Sequence, residues 1–235
     1  MSFSTIRHAA VVTAVLMLSA CSDSTAPAAA PTVARAQAIV GEWQRIVAGT
    51  PASDSLTVLV LGTDGAPMVN ANVDWSVPAS AGTVSITKAR TDARGFASTA
   101  FTAGTTAGTV FVTATVAGLS PITFSLEIAA DAPFRISAMS ALSDTLMMNE
   151  AYAGGTVRVT DQYDNGLAGV LLVASLFAEG SEDAVQTAAV VTDDLGVAKS
   201  AFDMTPAPGE YRLVFSNESM TLTYRVTVMM PDPKN

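Results

Sequence analysis

Apolar side chains recur at every second position through much of the chain. Leu56, Val58 and Val60 alternate with Thr57 and Leu59, and Ala71, Val73, Trp75 and Val77 alternate with Asn72, Asp74 and Ser76. Further on, Val110, Val112, Ala114 and Val116 alternate with Phe111, Thr113 and Thr115. Ile122, Phe124, Leu126 and Ile128 alternate with Thr123, Ser125 and Glu127. A period of two places one face of each segment in a core and the other towards solvent, which predicts β-strands. Asp64-Gly65 and Asn165-Gly166 read as tight turns, because both residue types tolerate positive φ. No stretch beyond the N-terminus keeps a helical period for three turns.

The pattern occurs twice. At an offset of 101, Asp64-Gly65 matches Asn165-Gly166, Val69 matches Val170, and Thr91-Asp92 and Gly95 match Thr192-Asp193 and Gly196. Ala100-Phe101 matches Ala201-Phe202, and Gly108 matches Gly209, with no gap required from residue 64 to about residue 112. The offset then falls to 100, where Ile122, Phe124, Leu126 and Ile128 match Leu222, Tyr224, Val226 and Val228. The slip lies at residues 117–120, where a hairpin loop tolerates it. Two duplicated all-β units of about 95–100 residues follow, each with about seven short strands. Two sheets packed face to face bury the apolar side of each strand, and a closed barrel is the alternative. The expected domains are residues 37–130 and 131–231.

The residues of unit one resemble the bacterial Ig-like (Big) domains of invasin and intimin stalks. The resemblance is carried by Leu56–Trp75, Gly82–Ser85, Thr91–Phe101 and Ala107–Val116. It implies two tandem immunoglobulin-like β-sandwich domains over roughly residues 40–230. Unit two keeps Asp161–Gly166, Thr192–Phe202 and Pro208–Tyr211 but has Leu176 where unit one has Trp75, so it reads as the more diverged copy. Within Thr91–Gly95 and Thr192–Gly196, Gly95 and Gly196 are expected in the left-handed conformation, with Asp92 and Asp193 bonding the turn backbone.

The N-terminus departs from the strand pattern. Arg7 and His8 precede an apolar run from Ala9 to Leu18, about ten residues. That is too short to cross a hydrocarbon core, which needs roughly twenty, and it has the layout of a secretory signal peptide, residues 1–20. Leu18-Ser19-Ala20-Cys21 resembles the bacterial lipobox. The resemblance implies cleavage before Cys21, a diacylglycerol thioether on its sulfur, and an acylated amino group, with two or more chains giving stable anchoring. Ser22, in place of an aspartate, fits an outer-membrane destination on the same resemblance. Residues 21–36, with Pro27 and Pro31 and no period, read as a lipidated Cys and flexible tether.

Composition narrows the chemistry. Charged residues make up 14% of the 235, and the net charge is −9. Removal of residues 1–20 takes away Arg7 and no acid. An acidic chain without basic patches is a poor partner for nucleic acid or anionic head groups. Cys21 and His8 are the sole residues of their kinds. After cleavage no histidine and no free thiol remain for triads or histidine-bound metal. No catalytic residues, cofactor or metal are therefore expected, and the chain reads as no enzyme.

Several residues have a functional and a structural reading. Trp75 could be a sugar platform, but its register with Val73 and Val77 favours the core. Trp43 could be exposed or could staple the start of the domain. Asp161-Gln162-Tyr163-Asp164-Asn165 offers oxygen ligands for calcium, but lacks the full loop spacing and a bidentate Glu, so turn chemistry is expected. Glu179, Glu182, Asp183 and Asp193-Asp194 read as solvated loop acids, and Met147-Met148 and Met229-Met230 as strand-end packing rather than a copper site.

The expected protein is an exported lipoprotein, anchored through Cys21 at the outer membrane or cell surface. It displays its domains to bind a protein or glycan through loops or a sheet edge. The alternatives are a structural spacer or assembly subunit of the envelope, and a carbohydrate-binding module.

Overall fold

The computed structural model describes residues 30–148, 152, 154–200, 202 and 207–230. The predicted signal peptide, Cys21 and the tether as far as residue 29 lie outside them. Among the described residues every regular element is a strand. The first half holds β1 (Val33–Val40), β2 (Arg45–Val47), β3 (Leu56–Gly62), β4 (Asn72–Ser76), β5 (Gly82–Val84), β6 (Lys88–Arg90), β7 (Phe96–Thr99), β8 (Phe101–Ala103), β9 (Gly108–Thr115) and β10 (Ile122–Ala129). The second holds β11 (Arg135–Ala138), β12 (Ser143–Met147), β13 (Thr156–Thr160), β14 (Leu171–Ala178), β15 (Ala184–Val191), β16 (Val197–Lys199), β17 (Gly209–Ser216) and β18 (Thr221–Met229).

Each half packs a three-stranded sheet on a five-stranded one. The orders are β1-β3-β7 and β2-β10-β9-β4-β6 in the first, and β11-β13-β16 and β12-β18-β17-β14-β15 in the second, and β5 pairs with β8 apart from these. In both halves one short strand pairs parallel with the last strand, β2 with β10 and β12 with β18. The fold is two tandem immunoglobulin-like β-sandwiches. Alternation places the side chains as expected: Leu56, Val58, Val60, Val73, Val112, Ala114 and Phe124 are inaccessible to solvent. Two separate cores result, one around Trp75, Phe101 and Phe124, the other around Phe202, Phe215 and Tyr224.

The repeat register differs from the sequence alignment. Val60 N donates to Gly95 O, and Val159 N donates to Gly196 O. Likewise Met68 N donates to Val60 O, and Leu167 N to Val159 O. The first part of each sandwich is thus offset by 99, not 101, and the extra two residues of the second copy lie in the β14–β15 hairpin. Asp64-Gly65 corresponds to Tyr163-Asp164, and Val69 to Ala168. The left-handed position of the turn, Gly65 at φ 75°, is filled in the second copy by Asp164 at φ 70° rather than by Asn165 or Gly166. Asp64-Gly65 and Asn165-Gly166 are chemically similar but structurally two positions apart, which makes the two sequences match without a gap.

Trp75 consequently has Ala174, not Leu176, as its counterpart. Trp75 stands opposite Ala114 on β9, whereas Ala174 stands opposite Phe215 on β17. The bulk has moved across the strand pair, so the core volume is kept with the large residue on the neighbouring strand. An aromatic contact survives in each: Trp75 to Phe124 at 5.7 Å and Phe215 to Tyr224 at 5.9 Å between ring centroids.

The second part of the repeat keeps its predicted register. Asp92 Oδ1 accepts from Arg94 N and Phe96 N at 2.8 and 2.9 Å, and Asp193 Oδ1 accepts from Leu195 N and Val197 N, both at 2.9 Å. Gly95 and Gly196 take φ of 78° and 79°. The preceding threonines tie the turns to the opposite loop. Thr91 Oγ1 donates to Met68 O and accepts from Ala71 N, and Thr192 Oγ1 donates to Leu167 O and accepts from Val170 N.

The expected tether also ends earlier than residue 36. Val33–Ala36 lie within β1, where Val33 pairs with Gly62 and Ala36 with Val60. Val33, Ala36 and Ala38 pack on the first core. The open edge of β3 supplies hydrogen-bond partners to a segment whose own sequence carries no strand period.

Candidate functional site

The loop between β13 and β14 carries the buried Asp161. Its Oδ1 accepts from the backbone N–H of Tyr163 and of Asn165, both at 2.9 Å. Its Oδ2 accepts from Asp131 N at 3.0 Å and from Asn165 Nδ2 at 2.8 Å. Burial raises the carboxyl pKa, but the Asn165 amide and the N–H groups of Asp131, Asn165 and Tyr163 outweigh it and hold the pKa below the usual aspartate value.

Asn165 extends this network into the other sandwich. Its Nδ2 donates to Thr105 O and its Oδ1 accepts from Ala107 N, both at 2.8 Å. Thr105 and Ala107 belong to the loop between β8 and β9. Tyr163 lies against Gly49, where an added Cβ would meet the phenol oxygen at 2.6 Å. The segment expected to show turn chemistry therefore also joins the two domains. Asp161's hydrogen-bonding positions point at N–H donors, which leaves them closed to calcium. Among the described residues no three His, Cys, Asp or Glu side chains converge as a metal site.

Asn165→Ala deletes both bonds across the junction and leaves the partly buried Ala107 N without its acceptor, while water reaches Thr105 O. The expected cost is about 1–3 kcal/mol, read as a lower denaturant midpoint. NMR relaxation should then give the two sandwiches different tumbling times, where the wild type gives one.

Trp43 is exposed, at 80% of its possible surface, and holds a left-handed backbone at φ 60°. Its N–H donates to Ser125 O at 2.9 Å. The neighbouring Gln44 fixes the turn: its Nε2 donates to Gly41 O and Asp54 O, and its Oε1 accepts from Ser53 Oγ and Asp54 N. A left-handed non-glycine residue costs about 1–2 kcal/mol, so the fold holds Trp43 outward against strain. Trp43 lines a 160 Å³ hollow with Thr109, Ser125, Leu126 and Glu127. Phe111, half exposed, stands directly opposite Ser125 on the same outer face. The other tryptophan, Trp75, is in the core as expected.

Among the described residues the loop acids of the second domain named from the sequence do not converge. Glu179, Glu182 and Asp183 lie at the β14–β15 turn, where Glu182 pairs with Arg212 at 3.3 Å. Asp193 and Asp194 lie beyond the far end of β15. The two methionine pairs do meet: Met147 is in register with Met229, and Met148 N donates to Met229 O at 2.8 Å. Sequence reasoning did not foresee this adjacency, because it follows from the parallel pairing of β12 with β18. It likewise missed the Asn165 bridge, since no local signal distinguishes an asparagine in a turn from one that reaches another domain.

Residues 38–127 match the family described as bacterial Ig-like domain (group 1). No curated protein matches the chain. Among solved structures, InvD of Yersinia pseudotuberculosis is similar at 17% identity and a TM-score of 0.59, over 83% of this chain and 58% of that one. FdeC, an Escherichia coli adhesin, is similar at 16% identity and a TM-score of 0.49, over 83% of this chain and 66% of that one. Most of the first sandwich is thus similar to bacterial Ig-like domains, and the likeness to InvD is one of fold.

Proposed function

We propose that the chain is an exported lipoprotein, acylated at Cys21 and held to the outer membrane or cell surface. There it presents two Ig-like domains, bounded near residues 130–133, to bind a protein or glycan without catalysing a reaction. The anchor rests on Leu18-Ser19-Ala20-Cys21. The second sandwich is taken as a diverged copy of the first, on the strength of its matching strand order.

The observation that carries the binding role is Trp43. An indole held outside by a strained, hydrogen-bonded turn, with Phe111 on the same face, is a feature that stability alone would not retain. A spacer gains nothing from it. The Asn165 bridge favours a second role beside binding, as a stiff spacer that holds the second sandwich at a fixed distance from the first.

Trp43→Gly tests this reading. Glycine accepts the left-handed backbone, so stability should hold or rise by up to about 1 kcal/mol. Adherence of cells displaying the variant, and their hits on a glycan array, should fall by roughly thirtyfold, as expected for a tryptophan anchor worth about 2 kcal/mol. Unchanged binding would remove Trp43 from the role. The anchor is tested by mass analysis of the N-terminal peptide. Added acyl mass on Cys21, absent in Cys21→Ala, supports it; an unmodified peptide beginning at Cys21 defeats it.

A further inference from the structure

A second surface lies in the other domain. β15 ends the five-stranded sheet of the second sandwich, and no described strand pairs with its outer side. Natural sheet edges are usually short, charged or bulged, since an open row of N–H and C=O groups recruits other strands. The other terminal strands follow that rule. β6 has three residues with Lys88 and Arg90, and β2 has three with Arg45. β12 carries Asp144, and β1 carries Arg35 and two register shifts.

β15 departs from it. Its eight residues, Ala-Val-Gln-Thr-Ala-Ala-Val-Val, hold no charge and no proline, and β14 beside it also carries no charge. A bulge displaces Val185, but Gln186–Val191 pair regularly with β14. On the outer face Leu171, Val173 and Val191 are exposed. The equivalent edge of the first sandwich is the short, basic β6, so the shared fold does not impose this arrangement.

Both ends of the neutral strand are acidic. Glu182, which pairs with Arg212, and its neighbour Asp183 precede it, and Asp193-Asp194 follow it, so acids outnumber the cation. Two copies of the chain paired antiparallel about Ala188 would set Asp183 of one against Asp193 of the other, on molecules that each carry a net charge of −9. A second copy is therefore a poor occupant. We infer that β15 accepts, by strand addition, an extended segment of another protein: about six uncharged, β-branched residues with basic residues at both ends.

The test uses the full chain and a synthetic peptide of alternating valine and threonine with two lysines at each end. Saturable binding is expected, with slowed amide exchange confined to Gln186–Val191. The same peptide with glutamate flanks should bind about tenfold more weakly. Asp183→Lys combined with Asp194→Lys, both exposed, leaves one acid beside one lysine at each end and should remove that preference, and Trp43→Gly should leave it unchanged. Ala188→Pro should abolish binding; should that variant not fold, the double lysine variant decides. Absence of saturable binding, equal affinity of the unaltered chain for both flanks, a preference undiminished in the double lysine variant, protection elsewhere, or a dimer of the chain built through β15 would each overturn the inference.

Discussion

Asp161→Ala should destabilise the chain by about 2–4 kcal/mol, because it leaves several partly buried donors without an acceptor at one stroke. The N–H groups of Asp131, Tyr163 and Asn165 and the Asn165 amide all donate to this carboxylate. Asp161→Asn keeps the shape but turns a donor towards donors, and should cost less than Ala while remaining clearly destabilising. The effect carries a pH signature. The folded pKa of Asp161 lies below its ordinary value, so the carboxylate contributes its stability above the unfolded pKa of about 4 and loses it as pH falls through the lower, folded value. Asp92 is shifted in the same direction, chiefly by its bond from Phe96 N. Urea unfolding at pH 7 should separate wild type from Asp161→Ala by the full amount. At pH 3 and below the gap should narrow. A gap independent of pH would mean that the ionised carboxylate is not what stabilises the loop.

Phe124→Ala should cost about 3–5 kcal/mol, the range for emptying a fully buried aromatic site. Phe124 is inaccessible to solvent and its ring lies against Trp75. The two cores share no residue, so the loss should fall on the first sandwich. Both tryptophans lie there, and only Trp75 is buried, so its fluorescence reports that domain. Thermal unfolding should split: the tryptophan transition moves down by many degrees, while the circular dichroism of the second sandwich melts near its original temperature. A single transition displaced as a whole would show that the domains unfold together, with the Asn165 bridge as the coupling.

Alternation makes the strands legible in the sequence. A side chain on a β-strand points to the face opposite its neighbours', so Leu56–Val60, Val73–Trp75 and Phe124–Ile128 could bury alternate positions in only one way. Turn chemistry was equally legible at Thr91–Gly95 and Thr192–Gly196, since those bonds are made within a few residues. The registration of the two copies was legible only in part. From Thr91 to Gly108 the residues themselves repeat, but before that Asp64-Gly65 and Asn165-Gly166 share a chemistry without sharing a place. Only the hydrogen bonds from Val60 and Val159 to the glycines across the sheet distinguish the two.

The candidate sites divide along the same line. Trp43 could not be placed from sequence, because neither reading of it depends on a local period. Its exposure follows from Gln44 reaching Gly41, Ser53 and Asp54, which folds the turn so that the indole faces outward.

The sequence by itself determined the all-β class, the duplication, the alternate burial of each strand and the turns built on Asp92 and Asp193, because each depends on residues close together in the chain. Tertiary structure alone decided which positions of the two copies correspond, where the bulk of each core sits, how Asn165 bridges two loops about sixty residues away from one another, and which edge is left open. Those depend on contacts between segments distant in sequence. Strand pairing and core volume constrain them jointly, and the same local pattern is compatible with more than one such arrangement.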